Sequence, residues 1–194
     1  MMYDNVLKNM SRYVTLTKEE EDEFCSLLAT RHIKKKQFLV HEGQISSYES
    51  YVNEGCFRTY IIDRNGTEHN FYFAMEDWWT SDIYSRTFNT PAFCNIVAIE
   101  DSEVLQITQH QLEALMVRLP KIEHFFRTIY QRSMAIHQYR LMQQLNMTSE
   151  ERYRQFREKY PEFDRRIPQK HIASFLGMTP EFFSNIRSKV IKAG

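Results

Sequence analysis

The 194 residues are 42% apolar and 26% charged, with 14 Phe and 11 Tyr, which is the composition of a globular chain with a sizeable core. No apolar run reaches the roughly eighteen residues of a membrane-spanning helix, and residues 1–12 lack a signal pattern, so a cytoplasmic protein with no membrane partner is expected. Net charge is zero, yet residues 150–194 hold 10 of the 25 basic side chains and only 6 of the 25 acidic ones; an acidic body with a basic tail suits a DNA binder whose other domain has another task. Cys25, Cys56 and Cys94 are scattered, which argues against a disulfide framework or a metal motif, so no metal and no cofactor are expected.

In chain order, residues 4–31 are predicted helical. Thr17 and Glu20 form a capping box, and Phe24, Leu27 and Leu28 share a face. Between Ile33 and Ile107 short runs of β-formers alternate with turn residues: 37–40, 48–52, 57–62, 70–74, 94–98 and 104–107. Asp63-Arg64-Asn65-Gly66 reads as a hairpin turn, and Gly43 and Gly55 mark further bends. Many short strands at close spacing predict a barrel or roll. A helix starts at Thr108, with Gln111 in the capping-box place. Another begins at Pro120 and runs to Asn146. Thr148 and Glu151 cap a third, over 149–159, which Pro161 ends.

The helix over 120–146 is nearly 40 Å long at about 1.5 Å per residue. Its apolar positions include Ile122, Phe125, Phe126, Ile129, Met134, Ile136 and Leu141, more than a small roll can cover. Packing of the same helix from a second copy in a two-fold dimer accounts for them. The other reading is a helix packed wholly within its own chain.

The strongest local signal follows Arg165. Counting from Gln169, the apolar positions Ile172, Leu176, Met178, Phe183 and Ile186 fall in the register of a helix-turn-helix. Ala173 is small where two helices cross. Gly177 sits at the turn, where a left-handed backbone suits glycine. Thr179 caps the second helix and Pro180 fits its first turn. The second helix would enter the major groove by its N-terminal end. On its polar face Glu181 suits cytosine N4, Asn185 suits adenine or a phosphate, and Ser184 and Ser188 lie close by. Arg187 and Lys189 suit the backbone, with guanine a further target for Arg187. Gln169, Lys170 and His171 suit phosphate at the first helix. The bland alternative is an ordinary helical hairpin with a solvated face.

Together these blocks resemble the superfamily of cyclic-AMP receptor and fumarate–nitrate reduction (Crp/Fnr) regulators over essentially the whole chain. The residues that carry the resemblance are Val52-Asn-Glu-Gly-Cys-Phe-Arg-Thr-Tyr60, Asp77-Trp-Trp79, Ile99-Glu-Asp-Ser-Glu-Val104, and Ile167-Pro-Gln with Ile172-Ala and Leu176-Gly-Met-Thr-Pro-Glu181. The resemblance implies an α+β chain in three segments: a cyclic-nucleotide-binding-like β-roll (jelly roll) sensor over 1–119, a dimerisation helix over 120–146, and a winged helix-turn-helix over 147–194. It implies a homodimeric transcription regulator on palindromic double-stranded DNA, with a small-molecule effector and RNA polymerase as further partners. In the family pattern Glu181 takes the place of a base-reading glutamate, whereas Asn185 stands where arginine is usual.

The cyclic-nucleotide pattern departs from the family. The Phe-Gly-Glu stretch is replaced by Met75-Glu-Asp-Trp-Trp-Thr-Ser-Asp82, and no arginine matches the phosphate-holding position. Arg86 lies a few residues earlier and would serve only if the loop shifted. A buried cyclic phosphate without a cation would be costly. An effector other than cyclic AMP is therefore expected. Trp78, Trp79, Tyr84, Phe88 and Phe93, with Arg86, are the candidate pocket; the rings either line a cavity or fill a core that has lost one. The alternatives to a regulator of this kind are a cyclic-nucleotide-responsive one with a rearranged pocket and a dimeric scaffold that does not bind DNA. No nucleophile elbow, metal-ligand motif or phosphate loop marks an enzyme.

Overall fold

A computed structural model describes residues 2–192. The chain divides into two compact units, Met1–Thr59 with Phe73–Arg132, and Tyr60–Tyr72 with Ser133–Gly194.

The first unit opens with α1 (Asp4–Ser11) and α2 (Lys18–Ser26). The continuous helix expected over 4–31 is therefore broken twice. Tyr13 and Val14 turn back to donate to the Met10 carbonyl, at 2.9 and 3.1 Å, which closes α1. The Thr17–Glu20 capping box then starts a separate helix, because such a box satisfies the free N–H groups of a helix beginning. Residues Ala29–Ile33 form β1, an edge strand paired antiparallel with β8 (Ser102–Thr108) from Ala29–Gln106 to Ile33–Ser102.

The other strands are β2 (Phe38–Val40), β3 (Tyr48–Glu54), β4 (Phe57–Ile62), β5 (Glu68–Ala74), β6 (Trp79–Thr80) and β7 (Asn95–Ala98). They form two four-stranded sheets ordered β1-β8-β3-β6 and β2-β7-β4-β5, the expected roll. One short helix, α3 (Ile83–Phe88), interrupts them. Asp82 caps it by accepting from the Ser85 N–H at 2.9 Å, and Asn89 ends it with φ of 49°. Both β6 and α3 lie in a stretch the strand pattern left unassigned.

Thr108 and Gln111 form the expected capping box of α4 (Gln109–Arg118). Then α5 runs from Pro120 to Asn146, the expected bounds. Val6, Met10, Phe24, Leu105, Leu112 and Leu115 are buried in one core with the first turns of α5. All three cysteines are buried free thiols. Burial pushes Cys25 up to about 11 and, with donation to Asp82, raises Cys94 as well, so neither is an active nucleophile at neutral pH.

Between β3 and β4 the chain turns at Gly55 with φ of 102°. A Cβ placed there would lie 2.1 Å from Ser102 Oγ and 2.8 Å from Ser102 Cα. Both the backbone angle and the approach of β8 require glycine. Gly55→Ala should lower the unfolding free energy by about 2 kcal/mol or more, since overpacking and a left-handed alanine each cost on the order of 1 kcal/mol or above. Gly66→Ala, at φ of 81° with open space around it, should cost only the backbone part. Urea midpoints compare the two; equal midpoints would contradict this account of Gly55.

In the second unit the hairpin 60–72 turns at Gly66, and Asp63 organises it. Its carboxylate accepts from the Asn65 and Thr67 N–H groups at 2.8 and 3.0 Å and contacts His69 at 2.8 Å. These bonds, His69 foremost, hold Asp63 below the usual carboxylate range. The helices are α6 (Ser149–Lys159), capped by Thr148 and Glu151 as expected, α7 (Phe163–Arg166), α8 (Gln169–Phe175) and α9 (Pro180–Lys192). Tyr153, Phe156, Phe163, Ile172, Phe175 and Phe183 are among its large buried groups. No strand follows β8 among the described residues, so the wing that the resemblance implied is not among them. Residues 193 and 194 of the expected last segment lie outside them. No helix among the described residues is long and apolar enough to cross a membrane.

Candidate nucleic-acid interface

The turn between α8 and α9 is built by its own residues. The Met178 N–H donates to the Ala173 carbonyl at 2.9 Å and the Gly177 N–H to the Ser174 carbonyl at 3.1 Å, with Gly177 at φ of 70°. These bonds make a Schellman closure of α8, which needs a residue at ease in the left-handed region. Thr179 Oγ1 then accepts from the Phe182 N–H at 3.2 Å, and Pro180 occupies the first turn of α9. Ile172, Ala173, Leu176, Met178 and Phe183 are buried, with Ile186 half-buried. Phe183 meets Tyr153 of α6 edge-on at 5.0 Å, which fixes how α9 lies on α6. Burial and donation to Asp164 push the Tyr153 hydroxyl up to about 12.

This packing sorts the expected contact residues. Phe183, Arg187 and Val190 turn inward on α9, whereas Glu181, Ser184, Asn185 and Ser188 are exposed on the opposite side. Arg187 is half-buried, with its Nε buried and without a partner. Lys189 is exposed but pairs with Glu150 at 2.6 Å, and Lys189 and Arg154 hold that carboxyl below its usual range. Gln169 and Lys170 are exposed at the start of α8. His171 faces Asn70 of the hairpin at 3.5 Å. Beside it, Ser174 Oγ donates to the Glu68 carbonyl at 3.0 Å and accepts from the Asn70 N–H at 2.9 Å, so α8 is tied to the edge of β5. Phe182, 48% exposed beside Glu181, is a further residue of this face. Sequence reading missed it because Phe182-Phe183 looks like core; only the helical period shows that one ring must point out.

The six candidate pocket residues do not converge. Trp79 packs into the first unit's core, 4.9 Å from Phe126 and 5.3 Å from Tyr51, and donates to Asn9 at 3.2 Å. Trp78 is half-buried, and its carbonyl accepts from Val52. Tyr84, Phe88 and Phe93 form a separate exposed cluster with centroids 4.8 and 5.5 Å from Tyr84.

Arg86 is held in a buried polar knot. Its guanidinium lies 2.6 Å from Glu49 and donates to Tyr130 at 2.8 Å and Gln109 at 2.5 Å, while Tyr130 and Ser81 donate to Glu49 at 2.8 and 3.0 Å. The Arg86 and Glu49 side chains are 6% and 2% exposed. Burial opposes the Arg86 charge, but Glu49 and Tyr130 outweigh it and the pKa is raised. A cyclic phosphate would have to displace Glu49 to reach this arginine.

The expected dimer residues also divide. Ile122, Phe125 and Phe126 are fully buried in the chain's own core, and Ile129 packs against it. They are taken up within the chain because the first turns of α5 cover α4 and the N-terminal helices. Met134, Ile136 and Leu141 are exposed, together with Tyr139, Met142 and Leu145.

Residues 30–118 match the sequence profile of the cyclic nucleotide-binding domain family. Three solved structures illustrate the fold match. FixK2 from Bradyrhizobium japonicum is 18% identical, with a TM-score of 0.74 over 86% of each chain. The c-di-GMP-responsive global regulator CLP from Xanthomonas campestris is 11% identical, with a TM-score of 0.73 over 92% of this chain and 93% of that one. A chain from Eubacterium rectale assigned to the Crp/Fnr transcriptional regulators is 16% identical, with a TM-score of 0.69 over 92% of this chain and 85% of that one. No curated protein sequence matches the chain.

Proposed function

We propose that this chain, which carries a cyclic nucleotide-binding domain at residues 30–118 and has the fold of the Crp/Fnr transcriptional regulators, is a sequence-specific DNA-binding regulator that acts as a homodimer. The observation that carries the reading is the outer face of α9. A helix closed on one side by Phe183 and Val190 presents Glu181, Ser184, Asn185 and Ser188 to solvent, none of which the chain's own packing needs. Short polar side chains on the leading turns of a second helix are what base edges require, and Lys170, Lys189 and Lys192 flank them for phosphates. Arg187, turned inward and half-buried, is left out of the base-facing set. RNA polymerase is the further partner of such a regulator.

Selection from a random duplex pool tests this reading. It should return a two-fold symmetric site with half-sites about one helical turn apart. No enrichment at low or moderate salt would overturn it.

The dimer face is the distal half of α5. Met134, Leu141 and Leu145 recur at spacings of seven and four, one stripe of the helix, and all three are exposed. A second copy of the same stripe is the occupant. Sedimentation should give twice the 23.4 kDa chain mass. Met134→Lys with Leu141→Lys should give the single-chain mass with unchanged helical content, since neither residue is in the core. An unchanged mass for the double variant would move the interface elsewhere.

The effector we favour is not cyclic AMP held in the roll, because Arg86, the one arginine near the phosphate position, is committed to Glu49 and Tyr130.

A further inference from the structure

Within the second unit a cavity of about 440 Å³ opens between the distal part of α5, α6 and the end of α8. Its walls carry Tyr139, Phe156, Tyr160 and Phe175, and its polar rim carries Arg140, Arg152 and Lys159. Glu158 is the one carboxylate among the lining side chains.

Arg140 is the unusual member. Its guanidinium lies 3.7 Å over the Phe175 ring and donates to the carbonyls of Phe71, at 2.5 Å, and Phe175, at 3.4 Å. No carboxylate among the described residues bonds it. Arg152 donates to the Met147 carbonyl at 2.8 Å and to Ser149 at 3.2 Å, and its Nε is buried without a partner. Lys159 sits 5.3 Å from the Tyr160 ring and forms no ion pair among the described residues. A desolvated cation without a counter-charge is costly to keep, and an anion bound beside it would remove that cost.

We infer that this cavity binds a small aromatic anion, a planar ring bearing a carboxylate, sulfonate or phosphate. The ring would lie among Tyr139, Phe156 and Tyr160, and the anionic group would meet Arg140 and Arg152. The volume lies within the range of about 300–1,000 Å³ usual for small-molecule sites. Burial lowers the Arg140 pKa, the sense expected of a cation that lacks its counter-ion. Nothing local in the sequence marks Arg140 or Arg152; their meeting depends on how α5, α6 and α8 pack. Because Phe175 and Leu176 both line the cavity and end α8, a bound ligand would bear directly on the helix-turn-helix. Resting on the regulator reading above, this puts effector control beside the DNA-binding helices rather than in the roll.

The test uses the full chain, without DNA, and the fluorescent probe 8-anilinonaphthalene-1-sulfonate. We expect one saturable site per chain, displaced by naphthalene-1-sulfonate and at least about tenfold less effectively by the neutral naphthalene-1-sulfonamide, the loss of one charge-assisted contact. Arg140→Gln should weaken the probe at least about tenfold, and Arg140→Lys should restore part of the loss. Arg152→Gln provides a second reading if the Arg140 variants fail to fold, and Val117→Ser, on an exposed apolar residue elsewhere, should leave binding unchanged. Absence of a saturable site, equal displacement by the neutral analogue, or wild-type binding by a folded Arg140→Gln chain would each overturn the proposal. Since no arm contains DNA, such a failure leaves the regulator reading standing, and loss of DNA binding alone leaves the cavity standing.

Discussion

Replacing Arg86 by methionine should lower the unfolding free energy by about 3–5 kcal/mol, the usual cost of removing one partner from a buried ion pair. Methionine fills similar space, so the loss is electrostatic rather than a void. What remains is Glu49, 2% exposed, with Tyr130 and Ser81 as its donors but without a cation. Tyr130 is itself raised by burial and by Glu49, so it donates without ionising. The double variant Glu49→Leu with Arg86→Met should regain most of the loss, because replacing both charges removes the desolvation cost together with the attraction. Denaturant unfolding of the two single variants and the double gives the coupling directly. A folded Arg86→Met chain within about 1 kcal/mol of wild type would mean that Arg86 is not committed to Glu49, and would reopen it as a ligand-holding arginine.

Glu181→Ala should cost about 1–3 kcal/mol of discrimination at one base pair of each half-site while leaving affinity for unrelated duplex unchanged or higher. Glu181 stands on the first turn of α9, exposed, with no ion pair to another helix among the described residues. Removing a carboxylate also removes repulsion from phosphates, so specific and non-specific binding should move apart. Lys189→Ala should behave differently. Lys189 lies near the other end of α9 and is shared with Glu150, so its loss should weaken all sequences evenly and by less than a free lysine would. Competition assays with single-base variants of the selected site distinguish the two patterns. A uniform loss for Glu181→Ala would remove it from the base-reading set.

Features coded by neighbouring residues were legible in the sequence. The boxes at Thr17, Thr108 and Thr148, the turn at Gly177 and the cap at Thr179 each rest on a bond between residues a few positions apart. The strand β1 was not legible: its side chains are mostly exposed, so it lacks the apolar signature of a strand, and its pairing with β8 spans most of the first unit. Reading 4–31 as one helix also passed over the meaning of the box at Thr17, which marks a start. The apolar run of α5 was visible, but one periodicity serves both Phe125, inside the chain's core, and Leu141, in solvent; only the tertiary packing divides them. The aromatic residues around Trp79 and Phe93 grouped naturally in sequence and separated in space for the same reason. The Glu49–Arg86–Tyr130 knot joins β3, α3 and α5, and no local pattern announces such a meeting.

In the proposed complex two copies of this chain read one symmetric DNA site through α9. The most direct test is a binding titration of the selected duplex against a scrambled duplex of equal length, with the mass of the complex measured at saturation. Such a complex should show two chains per duplex and a preference of about a thousandfold or more for the selected site, with both affinities falling steeply as salt rises. One chain per duplex, or equal affinity for the two duplexes at the same salt, would contradict it.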